Sequence, residues 1–184
     1  MVNWIINRTD LQEVLFPLFI HHSIFFLTKV RREQFNLALH VMSNGLTKYI
    51  EIPEVIPTSS LLQPLPLTAA DYLLLSFFIP WVVGFTEAEG SFIVKSNQDA
   101  CFQIKQRSHV ELFEAFQLLF NTNRGVGIEF DKYMQFSVSS KKDIQSVINF
   151  FSHGPVSLIG YKQTQYLDWI QYLKNSTRYS KLTF

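Results

Sequence analysis

The chain has 184 residues, 47% hydrophobic and 15% aromatic, which is enough apolar mass for a packed core and too much for pervasive disorder. Its 16 Lys and Arg against 15 Asp and Glu leave a formal charge of +1, which does not suit a module whose affinity rests on phosphate neutralisation alone. Cys101 is the single cysteine, so a disulfide framework and a cysteine zinc site are excluded.

Residues 2–7 alternate weakly and predict a short strand. Thr9, with Gln12 three residues on, predicts a capped helix to about residue 20. His21, His22 and Ser23 then read as a loop; adjacent histidines are of metal-ligand type, but no third ligand accompanies them. A second helix is expected over residues 28–42, with Phe35, Leu37, Leu39 and Val41 among its apolar positions and Asn44-Gly45 as its stop. Residues 47–67 carry Pro53, Pro57, Pro64 and Pro66, too dense for a regular helix and suited to an extended linker. The longest apolar runs, 14–27 and 72–85, are interrupted and fall short of the roughly 20 residues that span a bilayer. Neither a cleavable signal nor an amphipathic presequence is expected.

Thr68 and Asp71 open a helix expected to run through Leu73 to about residue 78, and Pro80 fits the first turn of the next one. That next helix carries the densest motif of the chain, residues 81–92, Trp-Val-Val-Gly-Phe-Thr-Glu-Ala-Glu-Gly-Ser-Phe. Val83, Gly84 and Ala88 recur among bulkier side chains and leave a face that another backbone can approach closely. Glu87 and Glu89 sit at the negative end of the helix dipole, where acids are disfavoured unless compensated. A divalent cation is the obvious compensation, although two glutamates facing water would read the same. Gly90 is expected to leave the helix with positive φ.

Strands are then expected over 91–97 and 100–107, turning at Gln98-Asp99. Phe102, Ile104 and Gln106 alternate with Gln103, Lys105 and Arg107, the pattern of one buried and one wet face. Ser108 is expected to cap a helix to about residue 121, with Glu111 as its box partner. Strands at 126–130 and 133–138 turn around Asp131-Lys132. Ser139 or Ser140 starts a helix to about residue 151, Gly154-Pro155 turns the chain, and the last helix covers 161–173 before a polar tail.

The 81–92 motif resembles the signature of the LAGLIDADG homing endonucleases, in the mitochondrial intron form that reads roughly W-L-V-G-F-x-E-A-E-G-S-F. The element order over residues 67–179 is similar to one complete repeat of that family. Its closing segment, Leu158-Ile-Gly-Tyr-Lys162 with Gln165-Tyr166 and Asp168-Trp169, resembles the family's ending. Near the start, Arg8-Thr9-Asp10-Leu11, Phe16-Pro17-Leu18-Phe19 and Leu27-Thr28-Lys29 are similar to the last third of another repeat. The resemblance implies an α/β (α+β) fold with an antiparallel four-stranded sheet and helices on one face, preceded by a two-helix remnant. The expected division is a remnant at 1–46, a linker at 47–67 and a complete repeat at 68–184.

The same resemblance implies a chemistry. Glu89 would be the metal-binding and catalytic acid, with the Gly90 carbonyl as a second ligand and Mg²⁺ as the cofactor. Lys162 would stand near the scissile phosphate, Gln106 would position solvent, and Lys29 would be the equivalent lysine of the first repeat. Lys95, Ser96, Gln98, Gln103, Lys105, Arg107, Arg124, Lys132, Gln135 and Ser137 would form the nucleic-acid face, since such side chains read base edges and phosphates. The expected partners are double-stranded DNA and something to cover the signature helix: the N-terminal segment, a separately encoded half, a second copy or a larger assembly. The Phe-rich, Gly-poor composition, 18 Phe against 7 Gly, fits an organelle-encoded mitochondrial protein. A second reading stays open: a non-catalytic RNA-binding or structural component, maturase-like or within a mitochondrial ribonucleoprotein such as the ribosome.

Overall fold

The computed structural model describes residues 5–61, 64–107, 109–129 and 132–184. These form two compact units, one ending at Leu65 and the other beginning at Pro66.

In the first unit, the expected strand does not form over residues 5–7, and residues 2–4 lie outside the described residues. Helix begins two residues before the expected start, because Asn7 rather than Thr9 is the cap: its Oδ1 accepts the Asp10 N–H at 2.9 Å. The helical run is α1 (Arg8–Asp10), a π-helical turn (Leu11–Leu15) and α2 (Phe16–His21). Pro17 explains the π turn. It has no N–H for the carbonyl four residues back, and its ring crowds that carbonyl, so the turn widens until the Phe16 N–H meets the Leu11 carbonyl. Helix α3 (Lys29–Ser43) ends as expected, with Gly45 at φ 62° and the Leu46 N–H on the Val41 carbonyl at 3.0 Å. Phe16, Phe25, Phe35 and Leu39 make the core, with Phe16 edge-on to Phe35 at 4.7 Å. Asn36 is buried in α3; it donates to the Pro57 carbonyl at 3.0 Å and accepts the Ser59 N–H at 2.8 Å. Part of the proline-rich stretch is thereby tied down on α3, beyond a 3₁₀ turn at Tyr49–Glu51.

The second unit opens with α4 (Ala69–Leu73), closed by the expected capping box of Thr68 and Asp71. This helix stops at Leu73, short of residue 78. Helix α5 (Phe78–Glu89) takes Pro80 in its first turn, where no donor is missed. There follow β1 (Gly90–Val94), β2 (Ala100–Arg107), α6 (Val110–Leu119), β3 (Gly127–Glu129), β4 (Tyr133–Val138), α7 (Lys141–His153) and α8 (Gly160–Asn175). β1 ends three residues early because residues 95–99 close into a turn, with the Lys95 N–H on the Asp99 carbonyl and the Gln98 N–H on the Lys95 carbonyl, both at 2.9 Å. Ser108, the expected cap of α6, and Phe130 and Asp131 lie outside the described residues; His109 occupies the position before α6.

The sheet is antiparallel throughout, in the order β1-β2-β4-β3, with Gly90 opposite Ile104, Phe102 opposite Val138 and Gly127 opposite Gln135. The fold class that the resemblance implied is therefore present. Phe92, Phe102 and Phe136 line the inner face and meet helix residues, Phe102 lying 5.6 Å from Phe120 and 5.5 Å from Phe151. Each buried aromatic ring contributes roughly 1.5–3 kcal/mol of transfer free energy. α8 runs beside β1, and the Trp169 indole donates to the Ile93 carbonyl at 3.2 Å. At the other end, the Tyr72 hydroxyl of α4 meets His109 Nε2 at 3.1 Å. Burial pushes the His109 pKa down against the opposing pull of Glu111. The tail is more than polar: Tyr179 is fully buried, and its hydroxyl accepts the Ala100 N–H at 3.1 Å. Among the described residues, no helix is long and apolar enough to cross a membrane.

Candidate functional site

α5 delivers two acids to the end of the sheet and presents two different sides. Phe78, Val82, Val83 and Thr86 face the core, while Pro80, Gly84 and Ala88 are exposed at four-residue intervals. Val83, expected on the close-approach face, is 4% exposed and belongs to the core. Gly84 is open on its outer side, where an added Cβ would meet nothing within 4 Å.

Gly90 also departs from expectation. Its φ of −82° and ψ of 155° are ordinary extended backbone, so positive φ is not why glycine is needed. The reason is clearance: a Cβ there would stand 2.5 Å from Thr86 Cγ2 and 2.7 Å from the Thr86 carbonyl oxygen. The chain thus turns from α5 into β1 against the last helical turn.

The two glutamates have different surroundings. Glu87 Oε1 accepts the Ile159 N–H at 2.7 Å, just ahead of α8. The positive end of α8 thereby offsets an acid placed at the negative end of α5. Glu89 is exposed, and no hydrogen bond or ion pair engages it among the described residues. It borders an open cleft of about 440 Å³ together with Gly90, Gln103, Lys105, Gln106, Tyr133 and Lys162, among others. Lys162 is half-buried, and its ammonium donates to the Gly90 carbonyl at 2.6 Å and to Gln165 Oε1 at 3.1 Å. Gln106, near the end of β2, accepts the Arg107 N–H at 2.8 Å.

Glu89, Gly90, Gln106 and Lys162 are therefore brought together within the second unit. Lys29 lies in the first unit, highly exposed, 4.0 Å from Glu33 one helical turn on. For a divalent cation the donor set is partial. Glu89 is an oxygen donor without a protein partner, but the Gly90 carbonyl already holds an ammonium. No cluster of three His, Cys, Asp or Glu side chains exists among the described residues. A single free carboxylate falls short of the six or more oxygens that such a cation takes.

Of the expected nucleic-acid residues, five share the outer sheet face. Gln103, Lys105 and Arg107 on β2 lie beside Gln135 and Ser137 on β4, with Gln135 Nε2 donating to Gln103 Oε1 at 3.1 Å. Lys105 reaches over the Tyr133 ring at 5.5 Å. Lys95 and Ser96 are exposed in the β1–β2 turn, whereas Gln98 is turned to α8, its carbonyl accepting from the Tyr172 hydroxyl at 2.8 Å. Arg124 precedes β3 and Lys132 precedes β4, both exposed. The sequence offered little signal for Tyr172 or the capping role of Glu87, because each depends on a contact across more than seventy residues.

The model of the LAGLIDADG endonuclease family matches residues 82–173, half of this chain. Among solved structures, the I-LtrWI LAGLIDADG homing endonuclease bound to target DNA is similar with a TM-score of 0.64 and 21% identity, over 91% of this chain and 65% of that one. I-SmaMI bound to an uncleaved DNA target with calcium ions gives a TM-score of 0.58 and 20% identity, over 92% and 67%. I-GzeII in complex with its DNA target is 30% identical, with a TM-score of 0.43, over 50% of this chain and 34% of that one. The chain thus spans between about a third and two thirds of the length of these structures. With the family match running from the signature helix through α8, and with a sheet of the same architecture beneath it, the chain belongs to the LAGLIDADG endonuclease family.

Proposed function

We propose that this chain binds double-stranded DNA across its polar sheet face and carries one half of a metal-dependent phosphodiester-cleaving site. The supporting observation is the unpartnered Glu89 carboxylate, set in one open cleft with Lys162 and Gln106 at the edge of that face. Glu89 would hold the cation, with Mg²⁺ the expected ion. When bound, such a cation supplies charge relief to the phosphate and an acidified water. Lys162 would place a positive charge beside the developing phosphorane charge, and the Gln106 amide would orient the water. Gln103, Lys105, Arg107, Gln135 and Ser137 would contact base edges and phosphates in the groove. The second half would come from another signature helix, in a second copy or a separately encoded repeat, packed on Gly84 and Ala88. The Phe-rich composition supports an organelle-encoded, mitochondrial origin.

The test is cleavage of intronless insertion-site DNA with Mg²⁺, by the chain alone and mixed with a supplied first repeat. Cleavage that disappears in Glu89→Gln is expected. Absence of cleavage by either native preparation would overturn the catalytic part.

The charge of +1 favours one alternative, a non-catalytic RNA-binding or structural component whose affinity comes from protein neighbours. Co-migration of the native protein with an RNA-rich particle through high salt would support it. Salt-labile binding to one DNA sequence would end it.

A further inference from the structure

We infer that Tyr172 and Arg178 are positioning residues, which hold the β1–β2 turn so that Lys95 and Ser96 are presented to nucleic acid at the margin of the polar sheet face. The inference rests on the reading of that face as a DNA surface. Three consecutive residues, the last two of the turn and the first of β2, are each bonded to a different residue of α8 or the segment after it. The Gln98 carbonyl accepts from the Tyr172 hydroxyl at 2.8 Å, and its side-chain oxygen lies 3.2 Å away. Asp99 pairs with the Arg178 guanidinium. The Ala100 N–H donates to the Tyr179 hydroxyl at 3.1 Å.

Such anchoring has a job to do, because Gln98 has a φ of 66°, a left-handed conformation that a non-glycine residue rarely keeps unaided. Asn97 adds a local brace, its amide donating to the second Asp99 oxygen at 3.0 Å. Lys95 and Ser96, on the near side of the same turn, are exposed. Arg178 has its charge matched by Asp99, so it acts on the turn rather than on phosphate. Arg178 and Tyr179 also lie beyond residues 82–173, outside the segment that the family model matches.

Amide hydrogen exchange across residues 95–100 of the intact chain, together with binding to a mixed-sequence DNA duplex at several salt concentrations, tests this. In the otherwise native chain, Lys95→Gln should lower the slope of log affinity against log salt by about 1. In the Tyr172→Phe, Arg178→Gln chain, exchange at residues 98–100 should quicken about tenfold or more, and Lys95→Gln should lower the slope by less than about half as much. Tyr172→Phe alone, which keeps the ring, should move both readings in the same direction if the double change unfolds the protein. Exchanging the charges, Asp99→Arg with Arg178→Asp, should restore the slow exchange and the Lys95 effect; a direct phosphate contact by Arg178 would not be restored. A Lys95→Gln effect that is the same with and without the anchors, or a charge exchange that restores nothing, overturns the inference while leaving the DNA reading intact. A native chain that does not bind the duplex overturns the DNA reading and this inference with it.

Discussion

Replacing Gly90 with alanine isolates the packing of α5 against β1. Alanine is at ease with φ −82° and ψ 155°, so the substitution carries no torsional penalty. Its Cβ would stand 2.5 Å from Thr86 Cγ2, 2.7 Å from the Thr86 carbonyl oxygen and 3.0 Å from Thr86 Cα. The methyl can be pushed aside, but the carbonyl belongs to the last turn of the helix and moves only with it. Overpacking of this kind costs about 1–3 kcal/mol, offset by about 0.4–1 kcal/mol from the stiffer unfolded chain. A net loss of about 1–2 kcal/mol is expected, read as a lower urea midpoint at unchanged m-value. Thr86→Ala removes one of the three clashes, so the double change should show a favourable coupling of about 1 kcal/mol. Gly84→Ala is the internal control: it faces open space in mid-helix and should stabilise by about 0.5–1 kcal/mol. A Gly90→Ala chain as stable as the native one, or a penalty indifferent to Thr86, would refute the clearance argument.

Three further outcomes are expected. The lowered pKa of His109 means that the unfolded chain binds more protons than the folded one as pH falls below about 6.5, so stability should decline there; His109→Gln should flatten the decline in denaturation midpoints taken across that range. Tyr179→Phe leaves the Ala100 N–H without its acceptor in a fully buried setting, and should cost about 1–3 kcal/mol in the same assay. Asn36→Ala removes both bonds to residues 57–59 and should make that segment cleave faster under limited proteolysis, with cleavage at the native rate counting against the anchoring described.

Two of the strands were legible to their ends because their chemistry is local. The alternation in residues 100–107 and 133–138 marks β2 and β4 to the residue, and Ser140 and Thr68 announce their helices through side chains that reach the backbone nearby. The misreadings arise where distant atoms decide. Gly90 looks like a left-handed cap until Thr86 is seen against it. Val83 and Gly84 are neighbours in sequence, yet about 100° of helix rotation puts one in the core and the other outside. In the cleft, Glu89 was readable from the motif. That Glu87 caps α8 and that Lys162 occupies the Gly90 carbonyl were not, because both bonds join residues 72 positions apart.

The unequal lengths of the two border strands have a consequence for assembly. An open sheet ordinarily offers its outer strand to any extended peptide that can add alongside. At the β1 border the five residues Gly90–Val94 are paired on one side only, with β2. The opposite border, β3, is only three residues long and offers little ladder to extend. A partner that adds a strand finds a longer ladder at β1 than at β3.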